Sequence, residues 1–150
     1  MEIILNSESI RKNYIEVFVN KNDYFYESID RLRQFKDGLC YEGYLWDCLK
    51  NYTRVSSLYC HAFLDNLTDD FYVMRDIHSA EKIFIEDYWK YPKEAVLKLS
   101  CKEFKTLQDR LPEDVYLFDL TYSWTVVFTH EYNEKKNKRY CFTGRVEEVL

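Results

Sequence analysis

Glycine and proline are scarce in this chain, with 3 Gly and 2 Pro among 150 residues. Because flexible linkers and disordered tracts are rich in these two residue types, their scarcity argues against such segments. The scarcity of glycine also excludes a phosphate-binding loop of either common kind, and the sequence contains no Gly-x-Ser-x-Gly turn to hold a hydrolase nucleophile. We therefore expect one folded domain over residues 1–150, without a nucleotide-binding loop.

Long apolar runs are also missing, since no stretch approaches the ~18–20 residues of a membrane span. The opening segment MEIILNSES is too short and too acidic for a secretion signal. No Cys-x-x-Cys pair occurs, and the cysteines are odd in number: Cys40, Cys48, Cys60, Cys101 and Cys141. We expect reduced thiols in a cytoplasmic protein that does not bind membranes.

Positive charge is in short supply, with 21 Lys and Arg against 26 Asp and Glu and a net charge of −5. Nucleic-acid binding needs a basic stripe, so we expect no nucleic-acid partner. The segment 133–139, NEKKNKR, is a local +3 that we interpret as a solvated hairpin tip or a contact site, and the rest of the chain therefore carries −8. This acidic balance serves solubility, and it also favours a basic protein partner.

Aromatic residues are abundant at 18%, and 14 of them are tyrosines. Several lie close in sequence to carboxylates, and an interface uses buried rings for affinity and charges for orientation. The alternative is that these clustered carboxylates lie at loop tips, are solvated and have no part in an interface. The predicted binding residues are Trp46, Asp69, Asp70, Tyr72, Tyr88, Trp89, Tyr122 and Trp124.

Hydrophobic periodicity predicts helices first, then strands, then helices and strands again. The first elements predicted are a strand over 2–5, helices over 10–18 and 25–35, with Gly38 after the second, and a third helix over 41–50. A meander follows, with strands over 58–64, 71–77 and 82–86. Helical stretches over 91–99 and 103–111 then precede strands over 115–119, 123–132 and 139–143. This order predicts an α+β domain with a mainly antiparallel sheet, N-terminal helices and a helical insertion before the C-terminal strands.

The end of the predicted strand 123–132 carries the most chemistry. A period of two places four residues on one face, which we take as the core face: Trp124, Val126, Phe128 and His130. Glu131 points to the other face, so it forms an acid/base pair with His130 only if a bulge intervenes. If the protein is an enzyme, its catalytic candidates are His130, Glu131 and Asp119. A packed or capping role for His130 is the alternative.

Metal and thiol chemistry have weaker support. His61, His78 and His130 follow no metal-ligand spacing, so we expect no metal site and no cofactor. A nucleophilic pair of Cys60 or Cys141 with His130 is conceivable, but dispersed cysteines are more often small core residues.

Three short patterns resemble a family of small uncharacterised bacterial proteins, mainly Gram-positive. They are GYLW at 43–46, DDFYV at 69–73, and Tyr-x-Phe-Asp followed by Trp-Thr-x-x-x-Thr-His-Glu at 116–131. The family has no established activity, so the resemblance implies a bacterial origin and a compact α+β domain but no mechanism. The matching positions are Trp46, Asp119, Trp124, Thr129, His130 and Glu131.

The sequence therefore favours a small cytoplasmic, non-enzymatic module that binds a protein partner. A toxin-neutralising immunity protein is one form of this prediction, by analogy of type. The alternative is a small hydrolase or metal-dependent enzyme centred on His130. A domain with a small-molecule pocket between helices and sheet is a third possibility.

Overall fold

A seven-stranded antiparallel sheet forms the centre of the protein. The structure, a computed structural model, describes residues 1–29, 31–36, 38–76, 91–92, 94–132 and 138–143. The strands of this sheet are β1 (Glu2–Ile4), β4 (Thr53–Val55), β5 (Phe71–Arg75), β6 (Val96–Leu99), β7 (Val115–Asp119), β8 (Thr125–Tyr132) and β9 (Lys138–Thr143). They lie in the order β1-β6-β5-β7-β8-β9-β4. Two further strands, β2 (Leu32–Phe35) and β3 (Gly38–Tyr41), pair with each other as a separate hairpin.

Helices cover both faces of the sheet. They are α1 (Glu8–Phe18), α2 (Tyr24–Glu27), α3 (Ser57–Asp65) and α4 (Cys101–Leu107), with 3-10 helices over Leu45–Cys48 and Gln108–Arg110. The predicted α+β class with an antiparallel sheet is thus confirmed, and α4 is the predicted helical insertion before the C-terminal strands. None of the described helices is long and apolar enough to cross a membrane.

The sheet separates two hydrophobic cores. The α4-side core contains Cys60, Phe63, Leu64 and Phe104 from the helices, Val115, Leu117, Val126 and Phe128 from the strands, and Trp124 from the turn before β8. The α1-side core contains Tyr14, Phe18, Leu45, Trp46, Tyr116, Phe118 and Val127. Alternate residues of β7 enter opposite cores, as the period of two requires. Trp124, Val126 and Phe128 face a core as predicted, and the opposite face of β8 is buried as well.

Residues 58–64 form a helix, and the predicted strand there was wrong. Ser56 caps α3 through a hydrogen bond from the backbone N–H of Tyr59. The buried residues Cys60, Phe63 and Leu64 are spaced at three and four residues, which is the period of a helix. The cap at Ser56 was the sequence signal for this helix.

Residues 96–99 form a strand, and the predicted helix over 91–99 was wrong at this point. β6 pairs with β1 on one side and with β5 on the other. The helix begins only at Cys101, after Ser100, whose side chain and that of Glu103 form a capping box. A strand of four residues, such as β6, is too short for its sequence to show a two-residue hydrophobic period.

Two N-terminal predictions also need correction. The helix predicted over 25–35 ends at Glu27, and the chain then turns into the β2–β3 hairpin. The helix predicted over 41–50 is reduced to the 3-10 helix Leu45–Cys48. The strand β4 was not predicted, and the strand predicted over 82–86 lies outside the described residues.

Candidate functional site

Polar side chains meet at the end of the sheet where β5 ends, β7 begins and β8 nears its end. Val115, the first residue of β7, pairs with Arg75 on one side and Phe128 on the other. Residues just beyond these pairs must therefore lie together at one edge of the central strands. These residues are Asp76, Asp114 and His130.

The carboxylate of Asp114 forms hydrogen bonds with both the backbone and the ring of His130. The backbone N–H of His130 donates to Oδ1 of Asp114 over 3.0 Å, and ring Nδ1 lies 2.9 Å from Oδ2. The indole Nε1 of Trp46 donates to the same Oδ1 over 3.2 Å. The hydrogen bond with Asp114 is the main reason why the pKa of His130 is raised above 6.5. The pair thus favours a protonated imidazolium on a ring that is 39% exposed.

His130 lies on the opposite side of the sheet from Phe128, contrary to the predicted alternation. The register of β8 against β9 shifts between Phe128 and Tyr132. The His130 ring packs against Tyr44 and Trp46, with centroids 5.1 and 5.9 Å away. Trp46 belongs to the α1-side core, whereas Phe128 belongs to the α4-side core. An irregularity of this kind re-aims a side chain, which two-residue periodicity cannot anticipate.

A buried tyrosine and aspartate fix the 3-10 helix next to this histidine. The backbone N–H of Trp46 donates to the hydroxyl of Tyr116 over 3.0 Å, and that hydroxyl donates to Oδ2 of Asp76. The backbone N–H of Leu45 also reaches Oδ2 of Asp76, over 3.3 Å. Burial raises the pKa of Tyr116 well above 10, so its hydroxyl remains a donor.

Asp47 completes an acidic rim around the histidine. Its Oδ2 accepts the backbone N–H of Tyr44 over 2.9 Å. Burial, and then the negative charges of Glu131 and Asp76, raise the pKa of Asp47 from 3.8 to about 6. Glu131 and Glu113 also act electrostatically on His130, though less than Asp114 does. We call the following residues the acidic rim: Asp47, Glu113, Asp114 and Glu131.

The sequence-predicted catalytic residues are only partly brought together. Glu131 adjoins His130 and forms a long ion pair with Arg54 at 3.9 Å. Asp119 lies at the other end of β7 from Asp114, roughly 16 Å away at about 3.3 Å per residue. It organises the β7–β8 turn, where its carboxylate accepts hydrogen bonds from Thr121, Ser123 and Trp124.

The predicted binding residues do not share one surface. Trp46 and Trp124 are buried in opposite cores. Tyr72 and Tyr122 both pack on Phe118, with centroids 5.3 and 5.7 Å away. The remaining four are Asp69 and Asp70, which are exposed just before β5, and Tyr88 and Trp89, which lie outside the described residues.

Metal and thiol chemistry find little support in the geometry. Within the described parts of the chain, no three His, Cys, Asp or Glu side chains are grouped as a metal site. Cys48 and Cys60 are buried free thiols. Burial raises the pKa of Cys48 to about 12, so the nucleophilic thiolate is not formed at neutral pH.

The sequence analysis did not assign Asp114 as the partner of His130, nor Asp76 and Tyr116 as the residues that hold the neighbouring 3-10 helix. Asp114, Asp76 and Tyr116 make the hydrogen bonds that define the site. Their one sequence signal is position, because Asp114 directly precedes a predicted strand and Asp76 falls near the end of another.

Comparisons with protein-family models, with curated proteins and with solved structures return no match. The resemblance to small Gram-positive proteins stays a prediction, and function must be inferred from geometry.

Proposed function

We propose that the protein is a cytoplasmic, non-enzymatic binding domain that holds a basic protein partner at its acidic rim. The observation that carries this proposal is the convergence of the rim carboxylates around His130, beside the stacked rings of Tyr44 and Trp46. Tyr44 is partly exposed and rests on the buried Trp46, and an aromatic ring next to charges is what a protein interface uses for affinity and orientation.

The electrostatics of the rim favour a cationic partner. Asp47 is half-buried among other acids, and this environment penalises its charged form. Glu131 forms a long ion pair of 3.9 Å with the exposed Arg54, which neutralises it weakly. A lysine or arginine from a partner would stabilise both carboxylates at once and would be steered toward them over a distance.

Toxin-neutralising immunity proteins act by binding in this way, and a secreted basic toxin is the class of partner to test first. The acidic balance of the chain and its many tyrosines support the same proposal. A stoichiometric partner captured from the source organism would be measured again with purified components, at low and high salt. Binding that weakens as salt increases is expected for an interface guided by charge.

Two double variants, each of which removes two negative charges, locate the interface. Replacing Glu113 and Glu131 by glutamine should weaken the partner's affinity by about 3- to 10-fold, the sum of two partly exposed ion pairs. Replacing Asp69 and Asp70 by asparagine removes the same charge from the opposite end of the sheet, and it should leave the affinity unchanged. If only the second variant weakens binding, or both do so equally, the acidic rim is not the interface.

A second candidate is acid/base catalysis by the Asp114–His130 pair. The specific observation is the 2.9 Å contact that orients a half-exposed imidazole by a carboxylate. We would assay small ester, amide and phosphate substrates with the wild type, Asp114→Asn and Glu113→Gln. Activity lost in the first variant and kept in the second would favour an enzyme. Absence of any turnover would leave binding as the function.

A further inference from the structure

A cleft of about 620 Å³ lies beside α1, and none of its lining residues belongs to the acidic rim. Its walls come from the β1–α1 connection, from one face of α1, from α2 and from the residue two positions before β6. The residues that matter for its chemistry are Ser7, Glu8, Arg11, Lys12, Tyr26 and Glu94. The volume is within the range of small-molecule sites, which is about 300–1,000 Å³.

Arg11 is the unusual residue of this cleft. Its Nη1 atom is buried and has no hydrogen-bond partner in the part of the chain that the structure describes. Burial and the like charge of Arg75 lower the pKa of the guanidinium, against the opposing effects of Asp76 and Glu94. The carboxylates of Asp76 and Glu94 thus compensate the guanidinium in part, while its Nη1 atom still has no hydrogen-bond acceptor among the described residues.

The other charges of the cleft restrict what can bind there. Lys21 is paired with Glu16, so these two residues neutralise each other. The remaining cations, Arg11 and Lys12, are balanced by Glu8 and Glu94. A polyanion would be repelled by the two acids, whereas a ligand with one charge of each sign would match the site.

We propose that the cleft binds a small zwitterion of the amino-acid type. Its carboxylate pairs with the guanidinium of Arg11, which is suited to hold a carboxylate by two hydrogen bonds. Its ammonium group lies toward Glu94 and Glu8. Its side chain packs against the apolar wall formed by Leu5, Ile15 and Tyr26.

The test is a titration of the wild-type protein with each of the common free amino acids, monitored by thermal unfolding. At least one should raise the melting temperature in a saturable way, whereas acetate or ethylamine alone at equal concentration should raise it much less. The proposal is overturned if no amino acid binds at concentrations up to about 10 mM, which is high enough to detect even a weak, millimolar Kd. It is also overturned if acetate reproduces the full effect.

Variants assign the two subsites. Arg11→Lys keeps the charge but loses the planar fork, and it should weaken the amino acid's affinity by about tenfold. Glu94→Gln should also weaken the amino acid, without changing the response to acetate. Arg110→Met removes an exposed arginine on another helix and should have no effect. Equal losses in the Arg11 and Arg110 variants would contradict the assignment.

An independent measurement covers the case in which the Arg11 variant does not fold. In the wild type, the backbone amides of Ser7, Glu8 and Lys12 should shift in NMR spectra as the amino acid is added, and they should saturate together. Shifts spread over surface lysines, with none near the cleft, would overturn the proposal. Neither result depends on the acidic rim, so the two proposals fail separately.

Discussion

Nδ1 of His130 lies 2.9 Å from Oδ2 of Asp114, and the backbone N–H of the same histidine donates to Oδ1 over 3.0 Å. The indole of Trp46 donates to Oδ1 as well. One carboxylate therefore joins the start of β7, the end of β8 and the 3-10 helix. Its removal should change both the titration of the histidine and the stability of the fold.

Asp114→Asn should lower the pKa of His130, because the hydrogen bond with Asp114 is the main cause of its increase. A raised histidine pKa stabilises the folded protein below the ordinary value of 6.5, and this contribution is lost as pH rises through the folded pKa. The variant should therefore lose more stability near pH 5 than near pH 9, by about 0.5 kcal/mol for a partly screened pair.

This pH dependence is measured by NMR titration of the His130 ring and by urea unfolding at the two pH values. Glu113→Gln is the control, since Glu113 is a minor cause of the shift. An unchanged histidine pKa in Asp114→Asn would mean that the contact does not persist in solution.

Asp47→Asn should stabilise the protein at neutral pH. The pKa of Asp47 is raised from 3.8 to about 6. The folded state then binds the proton more tightly than the unfolded state, so stability is lost as pH rises from about 4 to about 6. Asparagine can still accept the N–H of Tyr44 without the cost of a charge. We expect a gain of about 1 kcal/mol near pH 8 and little gain near pH 4, after allowance for screening.

Urea unfolding of Asp47→Asn at both pH values checks this expectation. Asp69→Asn is a matched control, because Asp69 is exposed and the same charge is removed there. A loss of stability at pH 8 in the Asp47 variant would show that its carboxylate is needed in the charged form.

Tyr116→Phe should destabilise the protein by about 2–3 kcal/mol. The change deletes one hydroxyl and leaves two buried groups without it, the N–H of Trp46 and the carboxylate of Asp76. Tyr72→Phe, in the neighbouring strand, should change stability by less than about 0.5 kcal/mol. Chemical unfolding measures both variants, and similar values for the two would argue against the buried network.

Tyr14 and Thr125 should be energetically coupled. Thr125 Oγ1 donates to the carbonyl of Leu117 over 2.9 Å, so the Tyr14 hydroxyl, 2.9 Å away, must be the donor to Thr125. Tyr14→Phe and Thr125→Val should each cost about 1–2 kcal/mol, and the double variant about 1 kcal/mol less than the sum. Additive effects in this double-mutant cycle would contradict the contact.

A second double-mutant cycle serves as the control for the Tyr14–Thr125 coupling. Thr106 lies on the exposed side of α4, and its hydroxyl donates to the carbonyl of Lys102 within the same helix. Tyr14→Phe combined with Thr106→Val should therefore be additive within about 0.5 kcal/mol.

Local signals predicted some elements well. The predicted strand over 115–119 matches β7, and the predicted helix over 103–111 includes most of α4. The prediction failed where pairing with distant strands outweighed the local preference for a helix. Residues 96–99 form a strand because β1 and β5 supply its hydrogen bonds from both sides, and those partners are far away in sequence.

The candidate site shows the same division. His130 was identified from the end of its strand, but its assigned face was wrong because of the register shift after Phe128. Asp119 is at the opposite end of β7, and Asp114 takes the role of the carboxylate partner. A strand's two ends are equally close in sequence to its middle, so only the pairing direction decides which end meets His130.

By itself, the sequence determined the class of the fold, the strand at 115–119 and the acidic net charge, because these depend on composition and near neighbours. The tertiary structure decided which strands pair, that both faces of the sheet are covered, and that Asp114, Trp46 and His130 meet. Contacts of this kind join residues that are distant in sequence, such as Trp46 and His130, which are 84 positions apart. Their formation depends on the closure of the whole sheet, which no local pattern encodes.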